Sequence, residues 1–378
     1  MAYLIKRDTT KRALSIKRGL ILPGGDYMEI NNMPQCADGE QHLWQFLNTK
    51  DDLMVVDSFV KANSVINSHE RIFCSISGGS DSDVMLDLIH KVDKDKKVKY
   101  VWFDTGLEYQ ATKDHITYLE KKYGIDIIRE KAIKPIPLTC KENGVPFISK
   151  FVSQMISRLQ KHGFKFEDKP YEELIAEYPN CKTAVKWWCN CNHKFADSMF
   201  NIARNKYLKE FLIKYPPKFK ISDKCCKYAK KDVSKNLIKR ENADLMIVGI
   251  RKAEGGIRAA AYKNCYTISD SGTDYYRPLF WYNDNSKRQY ENKFGIVHSD
   301  CYKKYGFKRT GCCCCPYGRE LFEELRIVEI FEPKLYKAVC NVFGESYEYT
   351  MKYMEFADVM KREGITGQMN IFDYNDGD

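Results

Sequence analysis

Arg71–Ser82 reads RIFCSISGGSDS, and no other stretch constrains the fold as tightly. An apolar run (Ile72, Phe73, Cys74, Ile76) stops at Ser77-Gly78-Gly79-Ser80-Asp81-Ser82, and a helical pattern follows through Val84, Met85, Leu88 and Ile89. A strand that passes through a Gly-rich turn into a helix N-terminus makes an anion site. The glycines let the backbone approach, several N–H groups point one way, and the helix dipole favours negative charge. The P-loop differs, because it needs a longer glycine loop ending in Lys-Ser/Thr. The competing reading is a plain Ser/Gly turn that caps a helix, and the rest of the chain weighs against it.

Residues 52–68 read as a helix leading into a strand at 71–76. A helix at 82–92, a strand at Val98–Phe103, a helix near 109–123 and a strand around Asp126–Arg129 follow. After a break the alternation resumes with a helix at 225–240 and a buried strand at Leu245–Val248. Strands alternating with helices of this length predict an α/β, doubly wound, mainly parallel sheet. Between about 139 and 222 the pattern changes to Lys-rich helical segments broken by Pro170, Pro179 and Pro216-Pro217, which reads as a helical insertion. The expected organisation is therefore an N-terminal extension and leading helix over 1–70, with turn signals at Pro23-Gly24-Gly25 and Asn31–Pro34. A nucleotide-binding domain spans 71–300 and contains the insertion. Residues 301–363 hold a cysteine motif and C-terminal helices at 319–331, 333–342 and 346–363, and 364–378 form an acidic, flexible tail.

Composition narrows the setting. The chain has 378 residues, 44% of them hydrophobic, enough for a substantial core. No apolar run approaches bilayer length, and the N-terminus lacks the continuous apolar segment of a signal peptide. A cytoplasmic protein with no membrane partner is expected. In a reducing compartment, fifteen cysteines point to metal or catalysis rather than to disulfides. The net charge of +10 has lysines dense between Lys206 and Lys239. That suits a polyanion such as DNA or RNA, a nucleotide-binding face, or simply a solvated surface.

Other strand ends carry matching chemistry. Val98–Phe103 runs into Asp104-Thr105-Gly106, with Glu108 and Thr112 close behind. Ligands of open α/β sheets sit outside the carboxyl ends of strands, so Asp104 is placed to reach a ribose, an adenine amine or a metal. Leu245–Val248 leads into Gly249-Ile250-Arg251-Lys252-Ala253-Glu254-Gly255-Gly256-Ile257-Arg258. Arg251 and Arg258 offer forked donors for phosphate or sulfate. The structural alternative there is a surface pair between Glu254 and Arg258 at i,i+4.

Together SGGSDS, FDTGLEYQAT and GIRKAEGGIR resemble the phosphoadenylylsulfate (PAPS) reductase family, a branch of the PP-loop ATP pyrophosphatase superfamily, over roughly residues 70–135 and 220–320. The resemblance implies an adenine nucleotide alpha-hydrolase-like fold that binds ATP, or PAPS/APS. It implies phosphates on Ser77, Gly78, Gly79, Ser80, Asp81 and Ser82, with Mg²⁺ held partly by Asp81. Asp104, Thr105, Gly106 and Glu254 would complete the nucleotide site. Ser77, Asp81, Arg251 and Arg258 would carry catalysis, the arginines on the leaving pyrophosphate. The chain departs from the family at two points. Ser80 stands where many members have Lys, and the Glu-Cys-Gly-Ile/Leu-His motif bearing the reductases' nucleophilic cysteine is absent. Cys340, the one cysteine after Cys315, lies in LYKAVCNVFG and reads as the apolar face of a helix.

Cys225-Cys226 (SDKCCKYAKK) and the pair Cys312 and Cys315 (GCCCCPYG) place four thiols in two close pairs. Such a set suits a 4Fe–4S cluster or a tetrahedral zinc, although adjacent cysteines are awkward for zinc. The arrangement resembles the iron–sulfur CC…CxxC subset of the family, which implies a 4Fe–4S cluster on Cys225, Cys226, Cys312 and Cys315; Arg309-Thr310-Gly311 fits the same pattern. Cys313, Cys314 and Cys301 compete as ligands. Cys181, Cys189, Cys191 and His193 are open to a second metal or to a structural role.

In the tail, Gln368-Met369-Asn370-Ile371-Phe372 resembles the peptide by which bacterial proteins dock on the sliding clamp, though apolar tail residues can equally fold back on their own domain. The expected activity is adenylation of a nucleic-acid or related acceptor, followed by iron–sulfur-dependent sulfur transfer from a sulfur donor protein. A sulfonucleotide (PAPS/APS) reductase using an external thiol is the second expectation. A non-enzymatic nucleotide sensor recruited to DNA through the clamp is the third.

Overall fold

The structure, a computed structural model, describes residues 19–21, 27–29, 50–255, 261–270 and 272–364. It begins with β1 (Gly19–Ile21) paired antiparallel to β2 (Tyr27–Glu29), on either side of the expected turn. Then come α1 (Lys50–Asn67), β3 (Ile72–Ile76), α2 (Ser80–Val92), β4 (Val98–Asp104), α3 (Gln110–Tyr123) and β5 (Ile127–Lys131). A helical stretch follows: α4 (Ile136–Asn143), α5 (Lys150–Lys161), α6 (Tyr171–Glu177), α7 (Lys182–Trp188) and α8 (Leu208–Lys214). The chain continues through α9 (Lys224–Cys226), a π-helical turn at Lys227–Lys231 and α10 (Asp232–Glu241). Next are β6 (Leu245–Val248), β7 (Tyr266–Thr267), β8 (Asp274–Tyr276), α11 (Asp284–Phe294), α12 (Asp300–Lys303), α13 (Leu321–Phe331) and α14 (Pro333–Arg362).

Six strands form a sheet in the order β5-β4-β3-β6-β8-β7, with β4–β5 and β6–β8 parallel and β7 antiparallel to β8. The mainly parallel α/β sheet expected from the alternation is present. β3 shows why: Ile72, Phe73, Cys74 and Ile76 are all at most 1% exposed, the continuous burial of a strand covered on both faces. α2 buries Val84, Met85, Leu88 and Ile89 completely and carries acidic residues in its first turn and basic ones in its last, complementing the helix dipole. β7 and β8 were not anticipated, since two and three residues are too few for a period-2 pattern to register.

By contact the chain divides into two compact units. One comprises Met1–Ile72, Val84–Val98 and Leu245–Val297; the other comprises Phe73–Asp83, Lys99–Asp244 and His298–Asp378. The second unit has two apolar cores. Around the insertion, Phe147, Trp187, Trp188, Phe211 and Leu212 pack with Tyr349 of α14. The other core gathers Leu107, Tyr109, Ile136, Phe307, Val328 and Phe343 about several cysteines. The two ends of the insertion meet: the Val145 N–H donates to the Lys220 carbonyl at 2.9 Å, and the Ser222 N–H donates to the Val145 carbonyl at 2.9 Å. Gly144 makes that approach possible. It has φ +101°, and a Cβ there would lie 2.2 Å from the Lys220 oxygen. Among the described residues no helix is long and apolar enough to cross a membrane.

The two C-terminal helices expected at 333–342 and 346–363 are one, α14. The Gly344 interruption costs only about 1 kcal/mol relative to Ala. Burial of Phe343, Ser346, Tyr347, Tyr349 and Thr350 on either side outweighs it. A Cβ at Gly344 would meet nothing within 4 Å. Gly344→Ala should therefore stabilise the protein by about 0.5–1 kcal/mol, read as a higher urea midpoint. A lower midpoint would contradict the continuous helix.

Candidate nucleotide site and cysteine centre

The chain leaves β3 at Ser77, whose side chain is exposed, and reverses at Gly78, where φ is +70°. Every following polar group has a local task. The Ser77 N–H donates to Ser82 Oγ at 3.2 Å, Ser82 Oγ donates to the Gly79 carbonyl at 2.9 Å, and the Gly79 N–H donates to Ser77 Oγ at 3.3 Å. The Ser80 N–H donates to the Tyr302 hydroxyl at 3.1 Å, and that hydroxyl lies 3.1 Å from Thr310 Oγ1. Ser80 opens α2, so the turn delivers its amides to the positive end of a 13-residue helix. Asp81, in the first turn, is partly exposed, whereas Asp83 is buried. The two oxygens of Asp83 accept from His115 Nε2 at 2.9 Å and His298 Nδ1 at 2.8 Å, which fixes α2 to α3 and to the segment before α12.

The end of β4 forms the neighbouring wall. The Gly106 N–H donates to Asp104 Oδ1 at 2.9 Å, and Thr105 Oγ1 donates to Glu108 Oε1 at 2.6 Å, both of the latter buried. Burial pushes the Glu108 carboxyl up, and Lys230 opposes that rise. Lys230 sits on the π-helical turn and is exposed. Its ammonium is held charged first by Cys312, then by Glu108, Cys226 and Cys315. Burial raises the thiols of Cys312 and Cys315. A hydrogen bond to Cys140 raises Cys225, and one to Cys225 raises Cys226. Cys225, Cys226, Cys312 and Cys315 thus neighbour one another through Lys230 and through each other. Among the described residues no three Cys, His, Asp or Glu side chains are arranged to hold a single metal ion.

The sequence pattern of the phosphoadenosine phosphosulfate reductase domain matches residues 71–158, the stretch from β3 into α5. Residues 71–158 are therefore similar to a phosphoadenosine phosphosulfate reductase domain. Two uncharacterized proteins of Methanocaldococcus jannaschii are similar to it. One is 26% identical over 73% of this chain and 48% of its own length; the other is 30% identical over 33% of this chain and 26% of its own. The chain thus spans about half, or less, of the curated relatives it matches. Among solved structures, a PAPS reductase from Candida auris in a phosphate complex has a TM-score of 0.39 at 11% identity, covering 74% of this chain and 97% of that one. The U34-tRNA thiolase NcsA from Methanococcus maripaludis, with its 4Fe–4S cluster, has a TM-score of 0.34 at 12% identity, covering 82% and 80%. Likenesses of that depth say nothing of this chain's activity.

The anticipated residues divide between the two units. Ser77–Ser82, Asp104, Thr105, Gly106 and the four cysteines all lie in the second compact unit. Arg251 and Glu254 lie in the first, where Arg251 Nη1 donates to Asp284 Oδ1 at 2.9 Å. Arg258 and Gln368–Phe372 fall outside the described residues. The four consecutive cysteines differ in exposure. Cys313 and Cys314 have no exposed surface and pack into the apolar core, while Cys312 and Cys315 are partly exposed. Tyr109 and Tyr347 enforce this turn: the Cys314 N–H donates to the Tyr109 hydroxyl at 3.1 Å, and the Tyr347 hydroxyl donates to the Cys314 carbonyl at 2.6 Å. Cys301 lies against Thr112. Cys340 is on α14, as its pattern implied.

Sequence reasoning placed Thr310 in the pattern Arg309-Thr310-Gly311 but did not single out Tyr302, Cys140 or the pair His115 and His298. These are ordinary residue types outside any motif, and only the folded chain gives them their neighbours. Tyr317, next to the cysteine run, buries its hydroxyl beside Ser153, with Cys225, Cys226 and Cys315 as neighbours.

A Cβ at Gly78 would lie 2.8 Å from Thr112 Cγ2, and Thr112 is itself buried. Left-handed strain and overpacking together should make Gly78→Ala less stable by about 2–4 kcal/mol. An unchanged urea midpoint for that variant would refute the loop geometry.

Proposed function

We propose that this protein is a PP-loop ATP pyrophosphatase that adenylates a nucleic-acid or related acceptor so that sulfur can replace the activated oxygen. One observation carries the reading: the glycine turn and the four thiols belong to one compact unit and are joined by the short segment Thr310–Cys315. Thr310 lies at the turn beside Tyr302, and Cys312, two residues on, faces Lys230 and Glu108. Nucleotide activation and sulfur handling are thereby coupled along six residues of chain.

In this reading the amides of the turn and the start of α2 take the phosphates of ATP, and Asp81 helps hold Mg²⁺. An acceptor oxygen attacks the α-phosphorus, the bond to the β-phosphate oxygen breaks, and pyrophosphate leaves with its negative charge stabilised by the turn. A sulfur nucleophile from a donor protein then bonds to the acceptor carbon, and AMP departs with the oxygen. Asp104, Thr105 and Gly106, in the same unit as the turn, are proposed for the nucleoside.

The residues present suit a 4Fe–4S cluster. Cys225, Cys226, Cys312 and Cys315 would supply four thiolates, which fits a cuboid with ligands at its corners better than a single ion. The Lys230 ammonium would offset part of the negative charge of those thiolates. Such a cluster supplies a site where sulfur or electrons can be held. Cys312→Ser or Cys226→Ser should abolish the visible absorbance and bound iron of anaerobically purified protein, whereas Cys313→Ser and Cys314→Ser should keep both. Iron lost equally from all four variants would remove the ligand assignment.

The family match over 71–158 favours one second reading, reduction of a sulfonucleotide by an external thiol. Labelled ATP with Mg²⁺ and RNA or DNA separates the two. AMP plus pyrophosphate, abolished in a Ser77→Ala/Asp81→Ala double variant, is the expected outcome. Sulfite release from PAPS with ATP left intact would favour the reductase instead.

A further inference from the structure

The insertion displays a feature that neither the nucleotide turn nor the thiols use. Between α7 and α8 the chain forms a loop in which Phe195 is 58%, Met199 39% and Phe200 47% exposed. Three large apolar side chains within six residues, all facing water, are unusual on a soluble surface. The loop is not slack. Asn201 is fully buried, donates from Nδ2 to the carbonyls of His193 at 3.1 Å and Phe195 at 2.9 Å, and accepts from the Asn192 N–H at 3.1 Å. Asn192 Nδ2 donates to the Phe200 carbonyl at 3.0 Å, and Asn190 Oδ1 accepts from the Ala203 N–H at 3.0 Å. Three asparagines therefore brace the backbone, leaving Phe195 outside, while Phe200 meets the Phe151 ring edge-on at 6.0 Å and keeps its other side exposed.

The charge around the loop selects its partner. Residues 182–220 contain nine Lys and Arg against two Asp and Glu, so most of the chain's net +10 is concentrated there. Lys194, Arg204 and Lys206 of the loop itself are exposed, and the Lys194 ammonium lies 5.0 Å from the centre of the Phe195 ring, beside His193. A second copy of this chain would bring like charge against like charge. An apolar peptide would leave the lysines unanswered. A strand of unpaired nucleotides satisfies both features, with bases stacked on exposed rings and phosphates against the surrounding cations.

We propose that the loop 190–206 is a docking platform for single-stranded nucleic acid, stacking unpaired bases on Phe195 and Phe200. The proposal rests on the adenylation reading only for the role of the bound strand in turnover; binding itself needs neither ATP nor a cluster.

The test is fluorescence anisotropy of the full chain with labelled single-stranded RNA, single-stranded DNA and duplex DNA of mixed sequence. Each of Phe195→Ala and Phe200→Ala should weaken single-strand binding by about 10-fold, as loss of one stacked base does. Binding should fall linearly with log salt, and Lys194→Glu/Lys206→Glu should reduce that slope. Far-UV circular dichroism and thermal melts equal to the parent protein show that the variants fold. Single-strand affinity unchanged in Phe195→Ala/Phe200→Ala, or no binding of any strand at low salt, overturns the platform. Duplex affinity equal to single-strand affinity does so too. The two readings fail separately. AMP and pyrophosphate made by a protein whose loop variants bind normally sinks the platform alone. Loop-dependent binding without ATP cleavage sinks the adenylation reading alone.

Discussion

The turn between β3 and α2 depends on one backbone reversal. At Gly78 the chain takes a left-handed conformation in van der Waals contact with Thr112, and everything downstream inherits its direction from that step. Because the reversal is tight, Ser77 and Ser82 can close the turn with their own hydroxyls, and α2 starts immediately afterwards. A wider turn would point the same amides in several directions and lose the summed field that attracts a phosphate.

The thiol end follows a different physics. Four cysteines with raised thiols would be inert if they faced only apolar neighbours, because removal of a proton would leave an unpaired charge in a low-dielectric place. Lys230 changes the balance, as its charge favours thiolate on Cys312 and Cys315. Cys313 and Cys314 illustrate the contrast. They lie between two partly exposed thiols in sequence, yet both are buried in the core, where Cys314 bonds to two tyrosine hydroxyls.

Much of this was legible in the residues. The buried run before Ser77, the Gly-Gly turn and the amphipathic run after it gave β3, the loop and α2 to within two residues, because each signal is local and strong. Strand β4 with Asp104-Thr105-Gly106 was equally plain. The misses are of two physical kinds. The expected helices at 333–342 and 346–363 are one, because a helix flanked by buried aromatics tolerates Gly344. Tyr302, His115, His298 and Cys140 were invisible because their roles come from tertiary placement, which no spacing encodes. Arg251 shows the converse case: a residue marked by its motif is found holding Asp284.

The closure at the base of the insertion has its own consequence. Val145 and Ile221 sit side by side as a parallel bridge, so the sheet and the cysteines meet a nearly closed ring rather than a long excursion. The ring orders around Trp187, Trp188 and Phe211, and Tyr349 of α14 completes that core, at a distance in sequence from the glycine turn. The ring's exposed side chains can drift or be exchanged while residues 145 and 221 stay neighbours and the packing on α14 is kept, so the part that meets the outside world can be retuned without disturbing the glycine turn.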